Sequence, residues 1–468
     1  MIERLLRDGA VYAASAIVSR GLAFLLLPLY TRLLPSAEYG ALELIVTVGL
    51  LVNLVAPLEI GQGMAREWSE QADARARGAL ASTALGFTVA THALFLAPAL
   101  VAAPWIGGAL LGDAHFAPAW RAGACFIVAN AVVLQMLSQF RWDLRPGRYF
   151  AGSAAYALFT ALLGGGGAWM AGLEGLLWGQ TLAALLAIGA AAALQRDAFG
   201  LGMDAALLRT MLAFSLPLAG ASALAFASFH ANRLILGALA SLDAVALYGV
   251  AAKVAGLSTL LIVGVQGALT PLIYAHHRDP RMPHQLARAF EAFLGLALLV
   301  CLGLGLFAVE LIEWVATPAF AAAAPLLAWL APAALLSQMY IFLPGIAIAR
   351  RTGVQLGVSA VSALLALALN RLLIESHGAL GAAWAQVAAA LSFLMLWGAA
   401  SLRAYPLALR PLVIVSSVAA YGLVLFVLRD GAGAALRAAA LAGFAVFAWA
   451  SGLLRLGELR QALQSARQ

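Results

Sequence analysis

The sequence predicts an all-α integral membrane protein, duplicated into two halves of six spans each and closed by two further spans. Three observations predict it. Hydrophobic residues make up 64% of the 468 residues, charged residues only 10%, and the mean hydropathy is +0.94, whereas about a quarter of a soluble domain is charged. About fourteen apolar stretches approach the roughly 20 residues that a helix needs to cross a hydrocarbon core about 30 Å thick. The run Gly-x-x-Gly-x-x-Trp-x-Gln occurs twice, as Gly172, Gly175, Trp178, Gln180 and as Gly378, Gly381, Trp384, Gln386, each time opening an apolar stretch of spanning length.

The stretches run near 9–31, 39–64, 79–104, 119–140, 149–171, 174–194, 210–232, 243–272, 289–313, 320–345, 353–373, 379–401, 409–428 and 434–454. The first is longer than a signal-peptide core, contains Arg20 and leads through Arg32 into the next, so it reads as a retained span. The repeat has further marks. Arg32-Leu33 followed by Tyr39-Gly40 is echoed by Arg233-Leu234 followed by Tyr248-Gly249, and Arg141, Arg145 and Arg148 are echoed by Arg350 and Arg351. The expected organisation is an N-terminal six-helix lobe over 1–208, a second over 209–403, and two appended helices with a tail over 404–468. Repeats of this kind are common in transporters, with substrate held between the halves. Gly164 to Gly167 suit helices that approach closely.

The formal charge of +7 reflects topology rather than a nucleic-acid partner. With the N-terminus inside, the outer segments hold only Arg32, Arg121, Arg233, Arg371, Arg429 and Arg437, while most other arginines collect in inner loops and termini. That bias places both termini in the cytoplasm and makes the halves parallel repeats.

The sequence also argues against several chemistries. Nearly every connection is about 4 to 15 residues long, which leaves little room for an enzyme's active-site domain. The sole lysine, Lys253, follows Ala252, so no G-x-x-x-x-G-K-[ST] phosphate loop exists. Cys125 and Cys301 lie in apolar spans and read as packing residues, without a disulfide framework. His276, His277 and His284 share a polar loop with no further Cys or carboxylate at ligand spacing. No metal or cofactor is expected.

Function therefore points inward, to charges within the membrane, each costing roughly 2.5 to 3.5 kcal/mol on insertion scales. Arg20 lies in the first span, Glu43 and Glu59 in the second, and Lys253 in the eighth; Asn53, Gln62, Asn130, Gln135, His230, Asn232, Gln266 and Asn370 add polar groups. One reading pairs Arg20 or Lys253 with Glu43 or Glu59 in a buried structural bridge. The other has Arg20 and Lys253 face a hydrated cavity and hold an anionic group such as a phosphate, with Glu43 and Glu59 available for proton or cation coupling.

The run Ser19-Arg20-Gly21-Leu22-Ala23-Phe24-Leu25-Leu26-Leu27-Pro28-Leu29-Tyr30-Thr31-Arg32-Leu33-Leu34-Pro35, continuing to Glu38-Tyr39-Gly40, resembles the first helix and loop of the polysaccharide and O-antigen flippases. That family belongs to the multidrug, oligosaccharidyl-lipid and polysaccharide exporter superfamily. Gly61 to Glu67, Asn232 to Gly237, Leu247 to Lys253, Pro271 to Tyr274, Asn370 to Ile374 and Gly378 to Gln386 resemble later parts of it, in order. The resemblance implies two six-helix lobes around a central cavity, helices thirteen and fourteen appended, and alternating access by rocking. It implies as partner an isoprenoid lipid joined through a diphosphate to a sugar oligomer, carried across a bacterial or archaeal inner membrane and passed to polysaccharide polymerase machinery. On that reading Arg20 and Lys253 take the diphosphate, Arg66 and Arg233 guide the head group or seal a gate, and Asn53, Gln62 and Gln266 bind sugars. The rivals are a cation-coupled multidrug exporter of the same superfamily and a peptidoglycan-precursor flippase.

Overall fold

The computed structural model describes residues 21, 24–68, 70–71, 73–195, 202–349, 351–429 and 431–454. Among them every element is helical. Arg20 lies outside the described residues, as do Arg350 and most of the expected first span. The chain forms two compact units, Met1–Ala246 and Leu247–Gln468.

The first unit runs through α1 (Leu27–Leu33), α2 (Ser36–Val55), α3 (Ile60–Trp68), α4 (Ala74–Val101), α5 (Ala103–Leu111), α6 (Ala117–Trp142), α7 (Pro146–Leu194), α8 (Ala205–Phe229) and α9 (Ala231–Leu239). α10 (Leu242–Gly256) carries the chain into the second unit, which continues through α11 (Leu260–His276), α12 (Met282–Leu306), α13 (Ala308–Val315), α14 (Ala324–Leu336), α15 (Gly345–Ile348), α16 (Thr352–Ala404), α17 (Pro411–Leu428) and α18 (Ala434–Ala450). Ten helical stretches among the described residues are long and apolar enough to cross a membrane. Helix starts are written in the sequence: Asp73 accepts from the Arg75 N–H at α4, and Asp204 from the Ala206 and Leu207 N–H groups at α8.

Two of the ten stretches each exceed one membrane crossing. α7 has 49 residues and α16 has 53, and at about 1.5 Å per residue either would be more than twice as long as the hydrocarbon core is thick. Both turn back at the repeated motif. Gly172 has φ 56°, ψ −139° and Gly378 has φ 53°, ψ −130°, a region essentially restricted to glycine. Three residues on, a Cβ on Gly175 would collide with the Gly167 carbonyl, and one on Gly381 with the Leu373 carbonyl. The motif is thus a hairpin device: its first glycine reverses the chain and its second lets the two arms touch backbone to backbone.

The second expected span, near 39–64, is interrupted. α2 stops at Val55 and α3 starts at Ile60. Pro57 has no N–H to return to the Asn53 carbonyl, so the ladder breaks there, and Leu58 (φ 49°) and Glu59 (φ 56°) follow in the left-handed region.

Candidate substrate site

The break between α2 and α3 builds the site. Two successive non-glycine residues with positive φ are uncommon and cost of order 1–3 kcal/mol each, so the surrounding packing must hold them. Glu59 accepts a hydrogen bond at 2.8 Å from the Ser222 hydroxyl of α8. One turn on, a Cβ on Gly63 would collide with the Met211 carbonyl, so α3 lies directly on α8. Ile60, Met64, Trp68, Leu80 and Met211 bury an apolar plug below the break, and the Arg66 guanidinium stacks 4.6 Å above the centre of the Phe214 ring.

Beside the break is a cavity of about 230 Å³. Asn53, Glu59 and Gln62 line it from α2, the break and α3; Gln135, Ser138, Arg141 and Trp142 line it from α6. Asn53 is positioned from behind. His92, fully buried on α4, directs Nδ1 at the Thr88 carbonyl (2.8 Å) and Nε2 at the end of the Asn53 side-chain amide (3.1 Å). Because Nδ1 meets a carbonyl it carries the proton of a neutral ring, so Nε2 accepts, and the Asn53 amide meets it with its N–H2 end, leaving the amide oxygen on the other side.

Of the residues singled out by sequence, Asn53, Glu59 and Gln62 come together here. Glu43 does not join them: it is buried on α2, and its Oε2 lies 3.5 Å from Arg233 Nε of α9, a pair 5% and 16% exposed. Arg66 sits on the α3–α8 contact. Lys253 is half-buried near the end of α10 and Gln266 is exposed on α11, both in the second unit. The sequence marks Arg141 only as part of the repeat and of the topology signal, and does not single out Ser138 or Trp142. A signal was present: Gln135, Ser138 and Trp142 follow i, i+3, i+7 spacing, which puts polar groups on one helix face.

Chemically, the site offers neutral amides, the Thr88 and Ser138 hydroxyls and an indole, with one carboxylate and one guanidinium among its lining residues. It is a place for polar, hydrogen-bonding matter inside an apolar bundle, not for metal-type chemistry.

A family model described as polysaccharide biosynthesis protein matches residues 5–277. Among curated proteins no sequence match is found. Solved structures share the fold. A lipid II flippase, MurJ, in an inward closed conformation aligns with a TM-score of 0.69 at 11% identity, over 94% of this chain and 97% of that one. A mutant of the MATE transporter VcmN of Vibrio cholerae aligns with a TM-score of 0.53 at 16% identity, over 86% and 97%. A MOP superfamily transporter from Pyrococcus furiosus aligns with a TM-score of 0.55 at 13% identity, over 84% and 94%. At such identities the likeness establishes the fold, which is that of the MOP transporters, and nothing finer.

Proposed function

Because the chain belongs to the polysaccharide biosynthesis protein family, we propose that this multi-pass membrane flippase or exporter carries isoprenoid-diphosphate-linked oligosaccharide from the inner to the outer leaflet by alternating access. The observation that carries the reading is the family match, which joins polysaccharide biosynthesis to a transporter fold. The polar cavity beside Glu59 supports it, since sugars crossing hydrocarbon need hydrogen-bonding groups to replace water. On this proposal the lobes span 1–208 and 209–403 with 404–468 appended, both termini are cytoplasmic, and the exported unit becomes available to a polymerase.

Residue roles follow the charges. Arg20 and Lys253 hold the diphosphate, since charge-assisted hydrogen bonds to phosphate are the strongest neutralisation a protein side chain offers in low dielectric. Arg66 and Arg233 guide or gate, Asn53, Gln62 and Gln266 meet sugars, and Glu43 and Glu59 serve ion coupling. A cation-coupled multidrug exporter is the second reading, favoured by one observation, the Glu59 carboxylate held in a left-handed turn beside the cavity.

The deciding experiment is the leaflet distribution of lipid-linked oligosaccharide in cells lacking the protein, read with an impermeant glycan-modifying enzyme on intact and lysed vesicles. Accumulation on the cytoplasmic side, reversed by the wild-type gene and not by the Arg20→Ala/Lys253→Ala double variant, supports the proposal. An unchanged distribution rejects it in favour of drug export, and full rescue by the double variant rejects the diphosphate assignment.

A further inference from the structure

We infer that the cavity between α2, α3 and α6 is a subsite for a single sugar ring of the transported head group, an inference that rests on the flippase reading. Size is the first argument. A cavity of 150 Å³ accommodates benzene; one of about 230 Å³ has room for one six-membered ring with its hydroxyls.

The lining selects the chemistry. Sugar hydroxyls both donate and accept, and the side chains that match them are amides, which do the same. Asn53, Gln62 and Gln135 supply three. A phosphate in the same space would find the Arg141 guanidinium countered by the Glu59 carboxylate, and a divalent cation would find too few further anionic oxygens.

Hydrogen-bonding capacity is also left open where a ligand would use it. Among the described residues the partly buried Gln135 amide nitrogen has as its partner only the Met64 sulfur, at 3.9 Å, a weak acceptor. The Trp142 indole nitrogen is buried and has no acceptor among the described residues. Leaving a donor poorly matched is costly, so the Gln135 amide defines a position for an incoming oxygen, whereas the sealed Trp142 N–H is reached only after a rearrangement. Asn53, by contrast, is fixed through His92 to the Thr88 carbonyl, which presents its amide in one orientation before any ligand arrives.

The test uses the full-length protein in lipid nanodiscs and two probes: the lipid-linked oligosaccharide extracted from the producing cells, and bare polyprenyl diphosphate. Wild-type protein is expected to bind the glycosylated lipid about tenfold more tightly or better. Gln135→Met, which removes the amide and keeps the volume, should weaken that binding about fivefold, the loss of roughly one neutral hydrogen bond. Binding of the bare lipid should not change. Equal weakening of both lipids, or none, overturns the subsite. If wild type binds both lipids equally, the subsite falls and the flippase reading stands; if it binds neither, both fall.

Discussion

Two glutamates inside the apolar bundle are held in opposite ways. Glu291 on α12 is 2% exposed, and its oxygens are taken up by Arg410, which donates its backbone N–H at 2.8 Å and its Nε at 2.8 Å, with Nη2 as a further donor. The same guanidinium donates to the Gly452 carbonyl at 2.8 Å, so one side chain ties the start of α17 and the end of α18 to α12. Arg437 repeats the device elsewhere along the pair, donating to the Leu306 carbonyl and to Glu310. Glu59 is half-buried, sits on a backbone with φ 56°, faces a cavity, and accepts one hydrogen bond among the described residues, from Ser222. A carboxylate whose lone pairs are filled by a forked guanidinium belongs to the scaffold. One kept in a strained turn with lone pairs to spare is what the proposed ion-coupling role asks of Glu59.

The contrast fails first, if it fails, at Glu291. Glu291→Ala leaves the Arg410 guanidinium facing a buried void and releases three helices at once. Removing one partner of a fully buried pair costs about 3–5 kcal/mol; with Arg410 40% exposed, water takes part of the load, and about 2–4 kcal/mol is expected. Thermal unfolding in detergent should show a midpoint several degrees lower, and an unchanged midpoint would mean that the clamp contributes nothing.

The repeated glycines come next, and they sharpen the idea of scaffold. Gly172→Ala and Gly378→Ala each force a side chain into a glycine-only conformation, at about 1–3 kcal/mol. They should not be equal. A Cβ at 172 would lie 2.9 Å from the Glu38 carboxylate, which accepts from the Leu173 N–H at 2.9 Å, whereas a Cβ at 378 would meet nothing within 4 Å. The first variant should therefore unfold earlier than the second, and matching midpoints would show that the Glu38 bond is not part of the hairpin's stability.

These same elements mark where sequence reading reaches and where it stops. The span boundaries at Gly172 and Gly378 were visible because the motif recurs and opens an apolar stretch each time, whereas the reversal and the close approach at its glycines came from the structure. The division into apolar spans was visible because bilayer thickness imposes a length on every helix. The break at Pro57 was not read, although a proline stood in the span, because hydropathy averages over a window and is blind to one missing N–H. Glu291 was passed over, Arg410 was counted only as an inner charge, and Arg437 only as an outer one. Their partners lie 119 and 127 residues away in the chain, and no local pattern encodes a pairing of that separation. Glu43 and Arg233 escaped for the same reason: each was flagged alone, and only the fold brings them to 3.5 Å.

The smallest effect on stability is expected at Glu59, and that is what gives the variant its value. Glu59→Gln keeps the shape, keeps an oxygen to accept from Ser222, and leaves the left-handed backbone as it is, so the unfolding midpoint should move by less than the equivalent of about 1 kcal/mol. Only the negative charge is gone. If the carboxylate acts during transport, the rate of flipping in proteoliposomes should fall about tenfold or more, which corresponds to about 1.4 kcal/mol in the limiting barrier. A variant that folds normally and transports poorly separates Glu59 from Glu291 in kind. Normal transport would make Glu59 a buried polar residue satisfied by Ser222 alone, and a large loss of stability would make it a second Glu291.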